Sequence, residues 1–210
     1  MLTVRSLFSH RFLLAITLGL WLLGSAHPLY AGALSHLEEA VQKVLVILRD
    51  PVLNAPENLT ERRGKLREII FAEFDFNTMS QSAVGPKWHK FSEEQKAHFI
   101  ILFERLLENT YMNSIERYKS EEVRFTKELS QSDTVARVDS VVVSKGTEFK
   151  VSYQLLLQGQ AWKVTDVIIE GVSVVSNYRA QFKQLLRKDD REGIDAMLVT
   201  LGNSVNKSER

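Results

Sequence analysis

The chain has 210 residues with 27 basic and 26 acidic side chains, a formal net charge of +1, so no charge excess steers it toward nucleic acid or an anionic membrane. It contains no cysteine, which excludes disulfides, thiol chemistry and cysteine metal ligands. Hydrophobic residues make up 44% of it, enough for one domain with a substantial core.

Arg5 and Arg11 come before or at the edge of an apolar run from Phe12 to Leu23, and small residues Gly24, Ser25, Ala26, Ala31 and Ala33 follow. That is the layout of a secretory signal peptide over residues 1–33, with cleavage after Ala26, Ala31 or Ala33. The run has twelve residues, whereas about 20 are needed to cross the hydrocarbon of a bilayer. A soluble mature protein without an anchor is expected, in which 25 basic residues face 26 acidic ones once Arg5 and Arg11 are gone.

Residues 34–202 read as a single domain. Leu34, Leu37, Val41, Val44, Leu45 and Leu48 recur at helical spacing, predicting a helix over 33–49 that Asp50-Pro51 ends. Beyond Pro51 and Pro56, Thr60 is placed to cap a second helix with Leu66, Ile69 and Ile70 inward. Phe74-Asp75-Phe76 leads into a short helix through Ser82, closed near Gly85-Pro86. Ser92 and Gln95 have capping-box spacing, since hydroxyl and amide can each satisfy the other's backbone N–H. The longest helix starts there and runs to about Tyr118, with Phe99, Ile100, Phe103, Leu106, Leu107, Tyr111 and Ile115 as its apolar stripe.

The period then changes to two. Val123 and Phe125, then Val135 to Val143, then Phe149, Val151, Tyr153, Leu155 and Leu157, then Trp162, Val164 and Ile168 predict four antiparallel strands. Lys145-Gly146 and Gln158-Gly159-Gln160 supply turns. Helical spacing returns with Val175, Tyr178, Phe182, Leu185 and Leu186, and a last helix holds Ile194, Met197, Leu198 and Leu201. Residues 203–210 read as a disordered tail. The fold class is α+β, with helices packed on one face of a curved, roughly four-stranded antiparallel sheet around an apolar cavity, a shape related to the NTF2-like cone.

Little points to catalysis. His27, His36, His89 and His98 lack the paired spacing of a zinc site, and no nucleophile elbow, Walker loop or dinucleotide fingerprint is present. Asp139, Asp166 and Glu170 could serve a steroid-isomerase-like enzyme if one of them lined an apolar pocket with a raised pKa, but solvent-facing or loop-holding roles suit them better. No metal and no cofactor is expected. Wide apolar faces without a catalytic signature suit a cavity for a hydrophobic ligand.

Specific runs carry a resemblance. Phe74-Asp75-Phe76, Met79-Ser80, Ala83-Val84-Gly85, Trp88, Ser92, Gln95, Phe103, Leu106-Leu107 and Thr110-Tyr111 come first. Trp162-Lys163-Val164-Thr165-Asp166-Val167-Ile168-Ile169-Glu170-Gly171-Val172-Ser173 follows, continued by Asn177-Tyr178-Arg179 and Gln181-Phe182. Together they resemble the MlaC family, the periplasmic phospholipid-binding components of the maintenance-of-lipid-asymmetry or toluene-tolerance transport system.

The resemblance implies a periplasmic carrier, not an enzyme, with phospholipid acyl chains in a deep apolar pocket and the headgroup near solvent. It implies docking to an MCE-type inner-membrane ABC transporter complex and to an outer-membrane lipoprotein complex. Hopanoid or another hydrophobic ligand is the alternative cargo. By the resemblance, Trp88, Phe103, Leu107 and Tyr111 belong on the helical wall, and Val164, Ile168, Val172 and Val175 near the sheet and its exit. Strand alternation adds Val141, Val151 and Tyr153.

Overall fold

A computed structural model describes residues 32–117, 122–144, 146–186 and 191–208. The expected signal peptide up to Ala31, with two of its three cleavage points, and also Tyr118, Lys145 and residues 209–210, lie outside the described residues.

Helix α1 spans Ala33–Arg49 and buries Leu37, Leu45 and Leu48 of the predicted face, with Leu34, Val41 and Val44 half-buried and Ala40 and Ile47 buried beside them. Asp50 ends it by accepting the N–H groups of Val52 (2.8 Å) and Leu53 (3.2 Å), a side-chain turn that outcompetes another helical turn. Helix α2, Leu59–Ala72, starts earlier than expected, and Thr60 lies inside it instead of capping it. Pro56, its φ already helical, opens a short 3-10 turn over Pro56–Asn58 that feeds the helix directly. Helix α3, Phe76–Val84, is capped by Asp75, which accepts the Thr78 N–H at 2.9 Å. It ends at Gly85, whose φ of 73° disfavours any residue with a Cβ.

Helix α4, Glu93–Glu116, begins with the full reciprocal capping box of Ser92 and Gln95. Five strands follow: β1 Glu122–Ser132, β2 Val135–Ser144, β3 Thr147–Gln158, β4 Ala161–Ile169 and the two-residue β5 Val172–Ser173. They form an antiparallel meander in the order β1-β2-β3-β4-β5. Glu170 and Gly171, both at positive φ, turn the chain between β4 and β5. Ser173 then caps helix α5, Val174–Leu185, by accepting the Ser176 N–H. Leu185, expected inward, is exposed.

Helix α6 spans Arg191–Ser208, so residues 203–208 are helical where a loose tail was expected. The cause is Val205, fully buried one turn past Leu201, with its carbonyl accepting from Asn109 Nδ2 of α4 at 3.2 Å. Among the described residues, no helix is long and apolar enough to cross a membrane.

Buried side chains fall into three groups instead of one continuous core. The largest joins α3, α4, α5 and α6, where Phe99, Phe103, Tyr178 and Phe182 pack with ring centroids 5.2–5.8 Å apart. A second joins the start of α1 to the sheet through Ala33, Leu37, Ala136, Val138, Leu155 and Val164. The third joins α1, α2 and α4 through Leu45, Leu48, Leu66 and Met112.

Candidate functional site

Residues paired across an antiparallel ladder share a face. Ala136 pairs with Leu155, Val138 with Tyr153, Ser140 with Val151 and Val142 with Phe149, and across the next ladder Leu155 pairs with Val164, Tyr153 with Val167 and Val151 with Ile169. This face holds Leu155, Val138 and Val164 in the core and looks toward the helices. The other carries Arg124, Arg137, Asp139, Lys150 and Gln154 and is solvated.

Burial along the inner face is graded. On β3 it runs from Leu155, 1% exposed, through half-buried Tyr153 and Val151 to Phe149, 39% exposed. β2 runs from buried Ala136 and Val138 to half-buried Val142, and β4 from buried Val164 to half-buried Val167 and Ile169. The sheet thus has a closed end at Leu155 and an open end at Phe149.

The closed end is held by polar links as well as packing. The Leu34 N–H donates to Glu128 Oε2 at 2.9 Å, Asp75 N–H to the Val164 carbonyl at 2.9 Å, and Val164 N–H to the Glu73 carbonyl at 2.8 Å. His36 Nε2 lies 2.6 Å from Glu73 Oε2. These bonds tie the start of α1 to β1 and to the end of α2, and tack the α2–α3 junction onto the edge of β4, covering backbone groups that an open edge would expose.

Beside the edge of β4, where Phe74 bridges Val164, Phe71, Phe76 and Phe74 form an aromatic run with centroids 5.2 and 5.7 Å apart. Phe74 and Val167 each pack against both the helical group and the sheet group. Phe76 and Tyr111 pack on the helical group and Phe125 and Tyr153 on the sheet group, all half-buried like the bridging Phe74 and Val167, and the apolar boundary these residues mark is termed the seam. Burial raises the Tyr153 hydroxyl pKa, with a smaller opposing effect from the Ser140 hydroxyl. Burial also raises that of Tyr111, with Tyr178 adding to it. Both phenols present neutral hydroxyls within apolar surroundings.

The structure distributes the residues expected to hold ligand unevenly. Val151 and Tyr153 are on the inner face, half-buried, and Tyr111 is at the seam. Trp88, Phe103, Leu107 and Val175 are instead interior to the helical group, because the apolar stripe of α4 packs on α3, α5 and α6. Val164 is buried at the closed end.

Val141 pairs with Lys150 and Arg124, which puts it on the solvated face. Ile168 pairs with Ser152 on that same face, since an extra residue at Thr165, between the Gln154–Asp166 and Leu155–Val164 pairs, flips the alternation of β4. Val172 pairs with Ile169 beyond the seam and is 60% exposed. Phe71, Phe74, Phe76, Phe125 and Val167 were missed as seam residues. The Phe74-Asp75-Phe76 run signals two of them, and strand alternation signals Phe125.

The three carboxylates that an enzyme would use are engaged. Asp166 accepts the Val175 N–H at 3.0 Å and the Ser173 hydroxyl at 2.5 Å, bracing the first turn of α5. Glu170 accepts the Lys150 N–H. Asp139 pairs with Arg137 Nε at 2.7 Å. Burial pushes the Asp139 pKa up, but hydrogen bonds from Ser152 and Arg137 and the Arg137 and Lys127 charges outweigh it, holding the carboxyl below its ordinary range. That favours the fold above the ordinary carboxylate pKa and is lost as pH falls through the lowered value. Asp166→Asn should cost about 1 kcal/mol through the lost Ser173 bond and leave lipid content unchanged. Chemical denaturation and lipid extraction check both; lost turnover in a well-folded variant would instead support an enzyme.

Among the described residues, no cluster of three or more His, Asp or Glu could hold a metal ion. A groove where α4 and α6 begin is lined mostly by polar side chains, among them Ser92, Gln95, Arg191 and Asp195, and does not suit acyl chains.

The sequence model of the MlaC protein family matches residues 38–203. Toluene tolerance protein ttg2D of Pseudomonas putida is 26% identical over 182 residues, covering 83% of this chain and 84% of that protein. A phospholipid-binding protein from Ralstonia solanacearum, solved in complex with a phospholipid, is 25% identical with a TM-score of 0.76. The match covers 86% of this chain and all of that one.

Proposed function

The chain belongs to the MlaC family, and on that premise we propose that it is a periplasmic carrier holding a phospholipid by its acyl chains in the apolar seam. The observation that carries this reading is the graded inner face: buried at Leu155, half-open at Tyr153 and Val151, exposed at Phe149, with half-buried aromatics beside it. Apolar side chains half-buried on both sides of a seam are costly in water and are satisfied by hydrocarbon. The phospholipid held by the similar Ralstonia protein supports the cargo class. The name of the Pseudomonas relative fits a role in resisting an apolar solvent.

The finer role is transfer between an MCE-type inner-membrane ABC transporter complex and an outer-membrane lipoprotein complex, keeping the outer membrane asymmetric. Energetics favour such partners. Each methylene gains about 0.8 kcal/mol in the protein and a similar amount in the bilayer, so net transfer is a small difference and the barrier is what needs lowering. Incubating the mature protein with liposomes carrying labelled phospholipid should yield a soluble protein–lipid complex. A protein that takes no lipid, with or without its transporter partners, would sink the reading.

Export is part of the proposal. Cleavage after Ala33 would remove a fully buried residue and the Gly32 carbonyl that accepts from His36 N–H at 3.0 Å, so cleavage after Ala26 or Ala31 is expected. N-terminal sequencing of the periplasmic protein should begin at His27 or Gly32. A start at Leu34 would contradict the structural argument, and a retained Met1 the export itself.

A further inference from the structure

The inner sheet face is ordered in rows that cross the strands. Leu155 lies with Ala136 and Val164 in the closed row, Tyr153 with Val138 and Val167 in the second, and Val151 with Ser140 and Ile169 in the third. Phe125 of β1 joins the third row opposite Ser140. Phe149 and Val142 form the fourth, at the open end. Successive rows along a strand are two residues apart, about 7 Å.

On β2 and β3 these rows are apolar except for two hydroxyls, those of Ser140 and Tyr153. Tyr153 starts in the second row and leans toward the third: its ring centroid is 6.5 Å from that of Phe125, and its hydroxyl is beside that of Ser140. Ser140 is 3% exposed and gives its proton to the Val151 carbonyl at 3.0 Å. One proton is left to donate, that of the Tyr153 phenol, which burial keeps neutral. It stands one row below the open end and two rows above the closed row.

A diacyl lipid has two polar layers. Its phosphate is an anion that suits a cation, and these rows of β2 and β3 hold none. The ester carbonyls beneath the phosphate are uncharged and only accept hydrogen bonds. A carbonyl drawn into an apolar site without a donor gives up its bonds to water at a cost. The N–H groups of β2 and β3 are committed to their ladders, so a side chain must supply that donor. With a carbonyl at the third row, an acyl chain has about 14 Å of apolar face to lie along, and the headgroup emerges past Phe149.

We propose that the Tyr153 hydroxyl donates to an acyl ester carbonyl of the bound lipid, so that the protein prefers ester-linked to ether-linked chains, an assignment that rests on the carrier reading above. The test measures binding of a diacyl phosphatidylglycerol and of its dialkyl ether analogue, matched in chains and headgroup. Both are offered to the unmodified protein and to Tyr153→Phe, which removes the hydroxyl and keeps the ring. The unmodified protein should bind the ester about fivefold more tightly, and Tyr153→Phe should bind both alike. With an isotope-labelled ester carbonyl, the infrared carbonyl band should lie at lower frequency in the unmodified protein than in Tyr153→Phe. Equal affinities in the unmodified protein would overturn the assignment even if Tyr153→Phe failed to fold. So would a well-folded Tyr153→Phe that keeps both the ester preference and the carbonyl band, which would leave the hydroxyl to Ser140 alone. Failure of the unmodified protein to bind either lipid would defeat the carrier reading itself, a result distinct from those.

Discussion

Val151→Trp should leave the protein folded and largely strip it of lipid, whereas Val141→Trp should leave both the fold and the lipid content intact. Val151 is half-buried on the inner face between Ser140 and Ile169, and an indole there projects into the seam. Excluding about four methylenes at about 0.8 kcal/mol each lowers affinity roughly two-hundredfold. Val141 is on the neighbouring strand, but it is half-buried on the outer face between Arg124 and Lys150. The same substitution one strand away therefore separates the two faces. Lipid extraction with circular dichroism reads both variants, and the opposite pattern would mean that the inner face has been assigned backwards.

Phe103→Ala should have a different signature, a large loss of stability with lipid retained per folded molecule. Its ring is fully buried and meets Tyr178 at 5.3 Å, Phe182 at 5.6 Å and Phe99 at 5.7 Å. Truncating such a ring costs about 3–5 kcal/mol, because the cavity left behind refills only in part. For a domain of this size that is a fall in Tm of about 10 °C. Tyr111→Ala, at the half-buried seam, should cost less stability and more lipid. A Phe103→Ala protein with a near-normal Tm and no lipid would place Phe103 on the ligand wall after all.

These contrasts mark where sequence periodicity is informative and where it fails. Helix α1 is legible to the residue, because apolar spacing and an Asp-Pro stop agree on 33–49. The Ser92–Gln95 box is legible because capping is local chemistry. The α+β class and the strand order follow from the change of period and the short turns.

Face assignment is where alternation breaks down. One extra residue at Thr165 sends Ile168 to the solvent side and brings Val167 and Ile169 inward, and a similar irregularity after Phe125 puts Glu128 inward to meet α1. No residue type at Thr165 announces the bulge. An apolar stripe likewise does not reveal its partner: that of α4 reads equally well as pocket wall or helix–helix core, and Phe103 and Leu107 lie in the core. The tail was misread because Val205 stands alone among polar residues, and only its position one turn past Leu201 on α6 shows why it is buried.

The central claim is that hydrocarbon occupies the seam between the inner sheet face and the aromatic run of the α2–α3 junction. Native mass spectrometry of the mature protein as purified from the periplasm tests it most directly, because a ligand with about 0.8 kcal/mol gained per methylene should survive purification. The account predicts a bound mass that fragments to a phospholipid and disappears in Val151→Trp. A bare polypeptide mass that stays bare after exposure to liposomes would contradict it.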